Sequence, residues 1–159
     1  MPRVYNTTTV AILNFLSESD KPAEFEKIKI QVAPKISGKD FYNYLFRLAQ
    51  QDLIHKTASA ASLTQDGARL LKRLEPDKDG VWKLVIFDIP EKHKYVRAVL
   101  RAKLKQLHFK KWQNSIWASP YEIDEEIESE FRDLGKKFFV RLIKTTEINN
   151  TEDLNKMFE

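Results

Sequence analysis

The apolar residues of this chain change their spacing at one place, and that change constrains the fold more than any other feature. Before about residue 74 they recur at helical intervals, whereas from Trp82 to Ile89 they form a nearly continuous run. Between the two lies Glu75-Pro76-Asp77-Lys78-Asp79-Gly80, a polar stretch with a proline and a glycine, which reads as a linker over 75–80. Two small domains are expected, 1–74 and 81–145, followed by a tail over 146–159. With 159 residues and 42% hydrophobic content the chain can build real cores, so disorder is not the expectation.

In the first region Val10, Leu13, Phe15 and Leu16 mark a helix after a Thr-rich start, and a second amphipathic segment covers about Pro22 to Val32. A third helix is predicted from Ser37, because Ser37-Gly38-Lys39-Asp40 puts a hydroxyl at the N-cap and a carboxylate at N3, near the positive end of the helix dipole. Its buried face would be Phe41, Leu45 and Leu48. Leu53 to Lys56 and Ser62-Leu63 read as two short strands around the small polar tip 57–61. Thr64 then begins a further helix with Ala68, Leu71 and Leu74 inward. Three helices, a two-stranded wing and a packing helix make a winged helix-turn-helix, whose third helix enters the DNA major groove.

In the second region the strand Trp82–Ile89 is followed by a helix burying Val96, Val99, Leu100, Leu104 and Leu107. Two strands are predicted at about 108–113 and 115–119, then an acidic helix with Ile123, Ile127, Phe131 and Leu134 on one side. Gly135 closes that helix, and Phe138–Lys144 forms the last strand. The order βαββαβ is ferredoxin-like, so the fold class is α+β, a winged helix-turn-helix followed by a ferredoxin-like domain.

Charge and missing residue types narrow the function. The formal net charge of +4 favours polyanionic partners. Nine Lys/Arg crowd residues 80–120 against Asp88 and Glu91, while 121–159 hold six basic and eleven acidic residues. Without cysteine there are no disulfides, thiolate metal sites or cysteine nucleophiles. No apolar run is long enough to span a bilayer, and Met1 to Asn6 lack the apolar stretch of a secretion signal, so a cytoplasmic location is expected. His55, His93 and His108 are scattered, Ser115 has no His or Asp pattern near it, and the four glycines stand singly, so nucleophilic catalysis and phosphate-loop chemistry find no support.

If the third helix turns Phe41, Leu45 and Leu48 inward, helical spacing turns Lys39, Tyr42, Asn43 and Arg47 toward another face or its margins. Arg forks onto guanine, Asn onto adenine and Lys onto phosphate, and Lys56 in the wing is placed to touch an adjacent backbone. The rival reading is a solvated polar face used for protein contacts. Leu45 to Ile54 resembles the end of the recognition helix and first wing strand of many winged-helix regulators, with Asp52 where these often carry glycine. Leu63-Thr64-Gln65-Asp66-Gly67 resembles their passage from the wing into the last helix. Lys94, Arg97, Arg101 and Lys105 form a basic line on the helix after Ile89, either secondary nucleic-acid contacts or a charged outer face pairing with the acidic helix of another subunit. Trp112, Trp117 and Tyr121 are read as core or dimer packing before base-stacking platforms.

From Trp82 onward Val85-Ile86-Phe87-Asp88-Ile89-Pro90, then Arg97 and Leu104, then Gln113-Asn114-Ser115-Ile116-Trp117 resemble the PaaX family of bacterial transcriptional repressors, whose central domain resembles the small CRISPR-associated endoribonuclease. With the first domain the resemblance covers about residues 6–145. It implies a dimeric repressor on a double-stranded DNA operator, with no catalytic residue and no cofactor. Longer family members continue past the point equivalent to Glu159, and some answer to an aryl-acyl coenzyme A, so the effector here is unknown. In the CRISPR relatives an aspartate at the position of Asp88 is proposed to bind a divalent metal. That makes a magnesium-dependent nuclease one alternative and a non-catalytic adaptor of the CRISPR-adaptation kind another. The reading preferred for Asp88 is a cap on the following turn, or a partner for a basic residue.

Overall fold

A computed structural model describes residues 5–159; residues 1–4, on which part of the reading of the amino terminus rests, lie outside the described residues. The chain divides into two compact units, one ending at Glu75 and one beginning at Pro76.

The first unit runs α1 (Thr7–Ser17), β1 (Ala23–Glu24), α2 (Phe25–Val32), α3 (Gly38–Gln50), β2 (Ile54–Lys56), β3 (Ala60–Leu63) and α4 (Gln65–Leu74). This is the winged helix-turn-helix. The second predicted helix starts later than its hydrophobic pattern implied, because Ala23 and Glu24 pair with Ala61 and Ala60 and complete a small sheet in the order β1-β3-β2. Helix α3 begins where its capping pattern placed it: Ser37 Oγ accepts from Asp40 N at 3.1 Å and donates to the Asp40 carboxylate at 2.8 Å. It ends without glycine. Asp52 takes φ 59°, and two bonds, Leu53 N to Leu48 O and Asp52 N to Ala49 O, both 3.0 Å, close a Schellman motif around it.

The core of this unit gathers Ile12, Leu13 and Leu16 of α1, Phe25 and Ile28 of α2, and Phe41, Leu45 and Leu48 of α3. Helix α4 is rotated from its expected face. Ala68 is exposed, while Gly67 is buried and Leu70 and Leu71 pack on the core. Gly67 is needed there because a Cβ would fall 2.0 Å from Leu53 O.

The second unit runs β4 (Lys78–Asp88), a 3₁₀ turn (Glu91–His93), α5 (Lys94–Gln106), β5 (Lys110–Gln113), β6 (Ile116–Tyr121), α6 (Glu125–Gly135), β7 (Phe139–Thr145) and α7 (Glu152–Met157). The antiparallel sheet has the order β5-β6-β4-β7, which is the ferredoxin-like topology. Strand β4 begins inside the stretch read as linker. Lys78 pairs with Tyr121, and the bulge before Lys83 accommodates Gly80 at φ 75°, so 78–80 are strand.

Val85 and Phe87 face α5 and α6, packing with Leu100, Leu104, Ile127 and Phe131. Val99 is exposed, against expectation, because the buried stripe of α5 follows Leu100 and Leu104. Ser115 sits in the exposed β5–β6 turn rather than in a strand, its carbonyl accepting from Phe87 N at 3.1 Å. Gly135 is not a left-handed cap. It is the last residue of α6, where a Cβ would lie 2.9 Å from Val140 O. Lys83 is 2% exposed and its ammonium is held by the Asp79 carboxylate and by Val81 O at 2.9 Å. Burial opposes charge on Asp79, but the Lys83 and Val81 hydrogen bonds outweigh it and hold its carboxyl below the ordinary carboxylate value.

On the opposite face of the sheet, α7 covers one end. Trp112 Nε1 donates to Asp153 at 2.6 Å, Lys110 reaches Met157 O, and the Phe158 ring meets Trp82 at 5.8 Å. The Trp112 bond, helped by the Leu154 amide, lowers the pKa of Asp153. No helix among the described residues is long and apolar enough to cross a membrane.

Candidate nucleic-acid interface

Helix α3 sorts its side chains by angle. At about 100° per residue, Phe41, Leu45 and Leu48 share one arc, and the opposite arc runs from Tyr42 through Phe46, Lys39, Gln50 and Asn43 to Arg47. All six of these are exposed. The expected residues Lys39, Tyr42, Asn43 and Arg47 thus lie on the outward arc or its two margins. Phe46 and Gln50 were missed, although the same spacing places them between the others.

The two margins are braced by rings. At one, Tyr42 meets Phe25 edge-on at 5.7 Å and Phe41 at 6.2 Å, and Lys56 Nζ lies over the Phe25 ring at 5.5 Å. This cluster brings the wing lysine together with the start of α3. At the other margin the Arg47 guanidinium lies 5.7 Å over the Tyr44 ring. The Tyr44 hydroxyl accepts from Asn6 Nδ2 at 2.8 Å, and Asn6 caps α1 by accepting from Thr9 N at 2.9 Å. Arg47 is therefore presented by two helices. A guanidinium, an ammonium, an amide and a phenol on one convex helix, with a cationic wing beside it, can contact phosphates and base edges together.

The basic line on α5 is shorter than its spacing suggests. Arg97 donates to Glu91 at 2.6 Å and to Ile89 O at 3.5 Å, which ties it to the junction between β4 and α5. Lys94, Arg101 and Lys105 are exposed. Lys103 pairs with Glu130 at 2.8 Å and Lys144 with Glu128 at 2.6 Å, so part of the acidic charge of α6 is used within the unit.

Asp88 is exposed at the end of β4, opposite Phe139. Its carboxylate makes no side-chain hydrogen bond or ion pair among the described residues, and no side chain caps the 3₁₀ turn or α5. The capping and pairing readings of Asp88 are therefore corrected. Glu91, the nearest second carboxylate in sequence, is engaged by Arg97, and no cluster of three or more His, Cys, Asp or Glu able to hold a metal occurs among the described residues. Trp117 is buried in the core, Tyr121 is packed by His108 and Phe158, and Trp112 is bound to Asp153, so all three aromatics are occupied by packing.

Fold and outward helix together define a two-domain protein, a winged helix-turn-helix followed by a ferredoxin-like domain. Residues 75–157, over half of the chain, match the family model described as the PaaX protein central Cas2-like domain, and the chain belongs to the PaaX family. A solved structure named "Uncharacterized protein Rv0674 from Mycobacterium tuberculosis" is similar over 97% of this chain and 67% of that one, with TM-score 0.54 and 16% identity. That likeness is one of fold. Among curated proteins no sequence matches.

Proposed function

We propose that the protein is a dimeric, sequence-specific double-stranded DNA-binding regulator of PaaX type, acting as a repressor in the cytoplasm without a cofactor. The observation that carries this reading is the outward arc of α3, whose margins hold Arg47 on Tyr44 and place Lys56 beside Tyr42 on Phe25. Lys39 and Lys56 contact phosphates, Asn43 and Arg47 meet base edges, and Tyr42 sets the position of the helix against the backbone. Lys94, Arg101 and Lys105 add weaker, salt-sensitive contacts.

Dimerisation is supported by the sheet face opposite α5 and α6. Leu84 and Ile86 of β4, Ile116 of β6, and Phe139 and Ile143 of β7 lie on it, the last two 50% and 41% exposed, and β7 is an edge strand. A second copy burying this face gives the assembly two recognition helices.

Selection of duplexes from a random pool by the full chain tests the reading. A pseudo-palindromic site with two half-sites is expected, and recovery of no preferred sequence would sink it. Sedimentation of the full chain should show a dimer that Phe139→Asp with Ile143→Asp converts to a monomer. Neither the protein nor its Asp88→Asn variant is expected to cleave nucleic acid with magnesium.

A further inference from the structure

Phe46 stands apart from the residues around it. It is 55% exposed in the middle of the outward arc of α3, and among the described residues no aromatic ring or cation is paired with it, whereas Tyr42, Tyr44 and Phe25 are all braced. It supports no core and no wing contact of that kind. On the arc it lies between Tyr42 and Lys39, three residues beyond Asn43.

A phenyl group has no donor or acceptor. Pressed against a polar base edge, it would strip water from that edge and return no hydrogen bond. The major groove offers one apolar group, the C5-methyl of thymine. A phenylalanine facing that groove therefore rewards thymine and penalises the other bases. Three residues along a helix is a rise of about 4.5 Å, little more than the spacing of about 3.4 Å between base pairs, so Asn43 and Phe46 on one arc are close enough to address neighbouring pairs. Asn reads adenine through its N6 and N7 edge, which makes the neighbour an A·T pair as well.

We propose that Phe46 is a specificity-determining residue that reads a thymine methyl beside the base pair faced by Asn43, so that each half-site contains two adjacent A·T pairs. This rests on the reading of α3 as the DNA-facing helix.

The test uses the full chain and the duplex recovered from the random pool. Each thymine is replaced in turn by deoxyuridine, which keeps every hydrogen bond and removes only the methyl, and affinity is read by fluorescence anisotropy at fixed salt. One thymine per half-site should lose about fourfold on losing its methyl, the equivalent of one buried carbon. Phe46→Ala should bind the thymine duplex about fourfold or more weakly and no longer distinguish thymine from uracil there. Arg47→Ala should bind weakly but keep the distinction. Because Phe46 is more than half exposed, the Ala variant should unfold at the same temperature as the parent. A wild type indifferent to uracil at every position, or a Phe46→Ala protein that still discriminates, overturns the proposal while leaving DNA binding intact. If the full chain binds no duplex at all, the DNA-binding reading itself fails and this inference falls with it.

Discussion

Helices α3 and α5 have the same length, thirteen residues, and the same ending. Each closes in a Schellman motif around a non-glycine residue in the left-handed region, Asp52 at φ 59° and His108 at φ 62°, with Phe109 N to Leu104 O at 2.9 Å matching Leu53 N to Leu48 O. Each buries one stripe. They differ in what the other arc is used for. Helix α3 is capped by Ser37 and carries cations and amides outward with its margins braced on rings, while α5 has no side-chain cap and spends Arg97 on Glu91. Outward, α5 shows Tyr95 and Val99 beside its remaining lysines and Arg101. Amphipathic pattern alone reports a buried face; function lies in the arc that the pattern leaves unassigned.

If the inner faces are equivalent, truncating them should cost about the same. Phe41→Ala should lose about 3–5 kcal/mol and Leu104→Ala about 2–5 kcal/mol in denaturant unfolding, through cavities in otherwise full cores. A loss below about 1 kcal/mol for either would mean that the helix is not seated as described.

Among the described residues only the second unit has a buried ammonium, that of Lys83. Asp79→Ala should cost about 2 kcal/mol by stranding that ammonium, while Lys83→Met should be close to neutral. The folded-state pKa of Asp79 lies below its unfolded value, so its contribution is present above about pH 4 and lost as the pH falls through the folded value. Acid titration of stability in the parent should therefore steepen below about pH 4 relative to Asp79→Asn. Because the Asp79 side chain is about one-third exposed, solvent screening keeps this effect modest.

The outer faces should separate in binding. Arg47→Ala is expected to weaken operator affinity about tenfold, or about 1.4 kcal/mol, with folding intact. Arg97→Ala should instead lower stability by about 1 kcal/mol and leave affinity nearly unchanged, since its partners are Glu91 and Ile89 O. Equal losses of affinity would erase the contrast between the two helices. The smallest effect is expected at the end of α3, where Asp52→Gly should stabilise by up to about 1 kcal/mol in thermal unfolding, while at the end of α5 the ring contact of His108 with Tyr121 offsets the same backbone gain.

Most of the element order was legible because each element carries a local signal: Ser37 and Asp40 for the start of α3, and Phe41, Leu45 and Leu48 for its face. The errors fall where a non-local contact decides. Ala23 and Glu24 become strand only because β3 lies alongside, and Ala68 turns outward because Gly67 must approach Leu53 O. In the interface, Lys39, Asn43 and Arg47 follow from helical spacing. The braces on Phe25 and Tyr44 depend on residues far apart in sequence, and Phe46 looks like a core residue in any pattern that scores apolar side chains.

The grip of α4 on the end of α3 carries a further consequence. Thr64 Oγ1 donates to Asp52 O at 2.6 Å, Thr64 N donates to Leu53 O at 3.2 Å, and Gly67 lies against the same carbonyl. The hairpin between Leu53 and Thr64 is thus a cassette pinned at its base, whose tip at 57–59 is exposed and tied internally by Thr57 N to Ala60 O at 2.9 Å, while Ala60 and Ala61, expected in the tip, belong to β3. Residues inserted at that tip would lengthen the wing without moving the clamp, so that, under the proposed DNA-binding function, the reach of the wing could be changed while its anchorage on the end of α3 stays fixed.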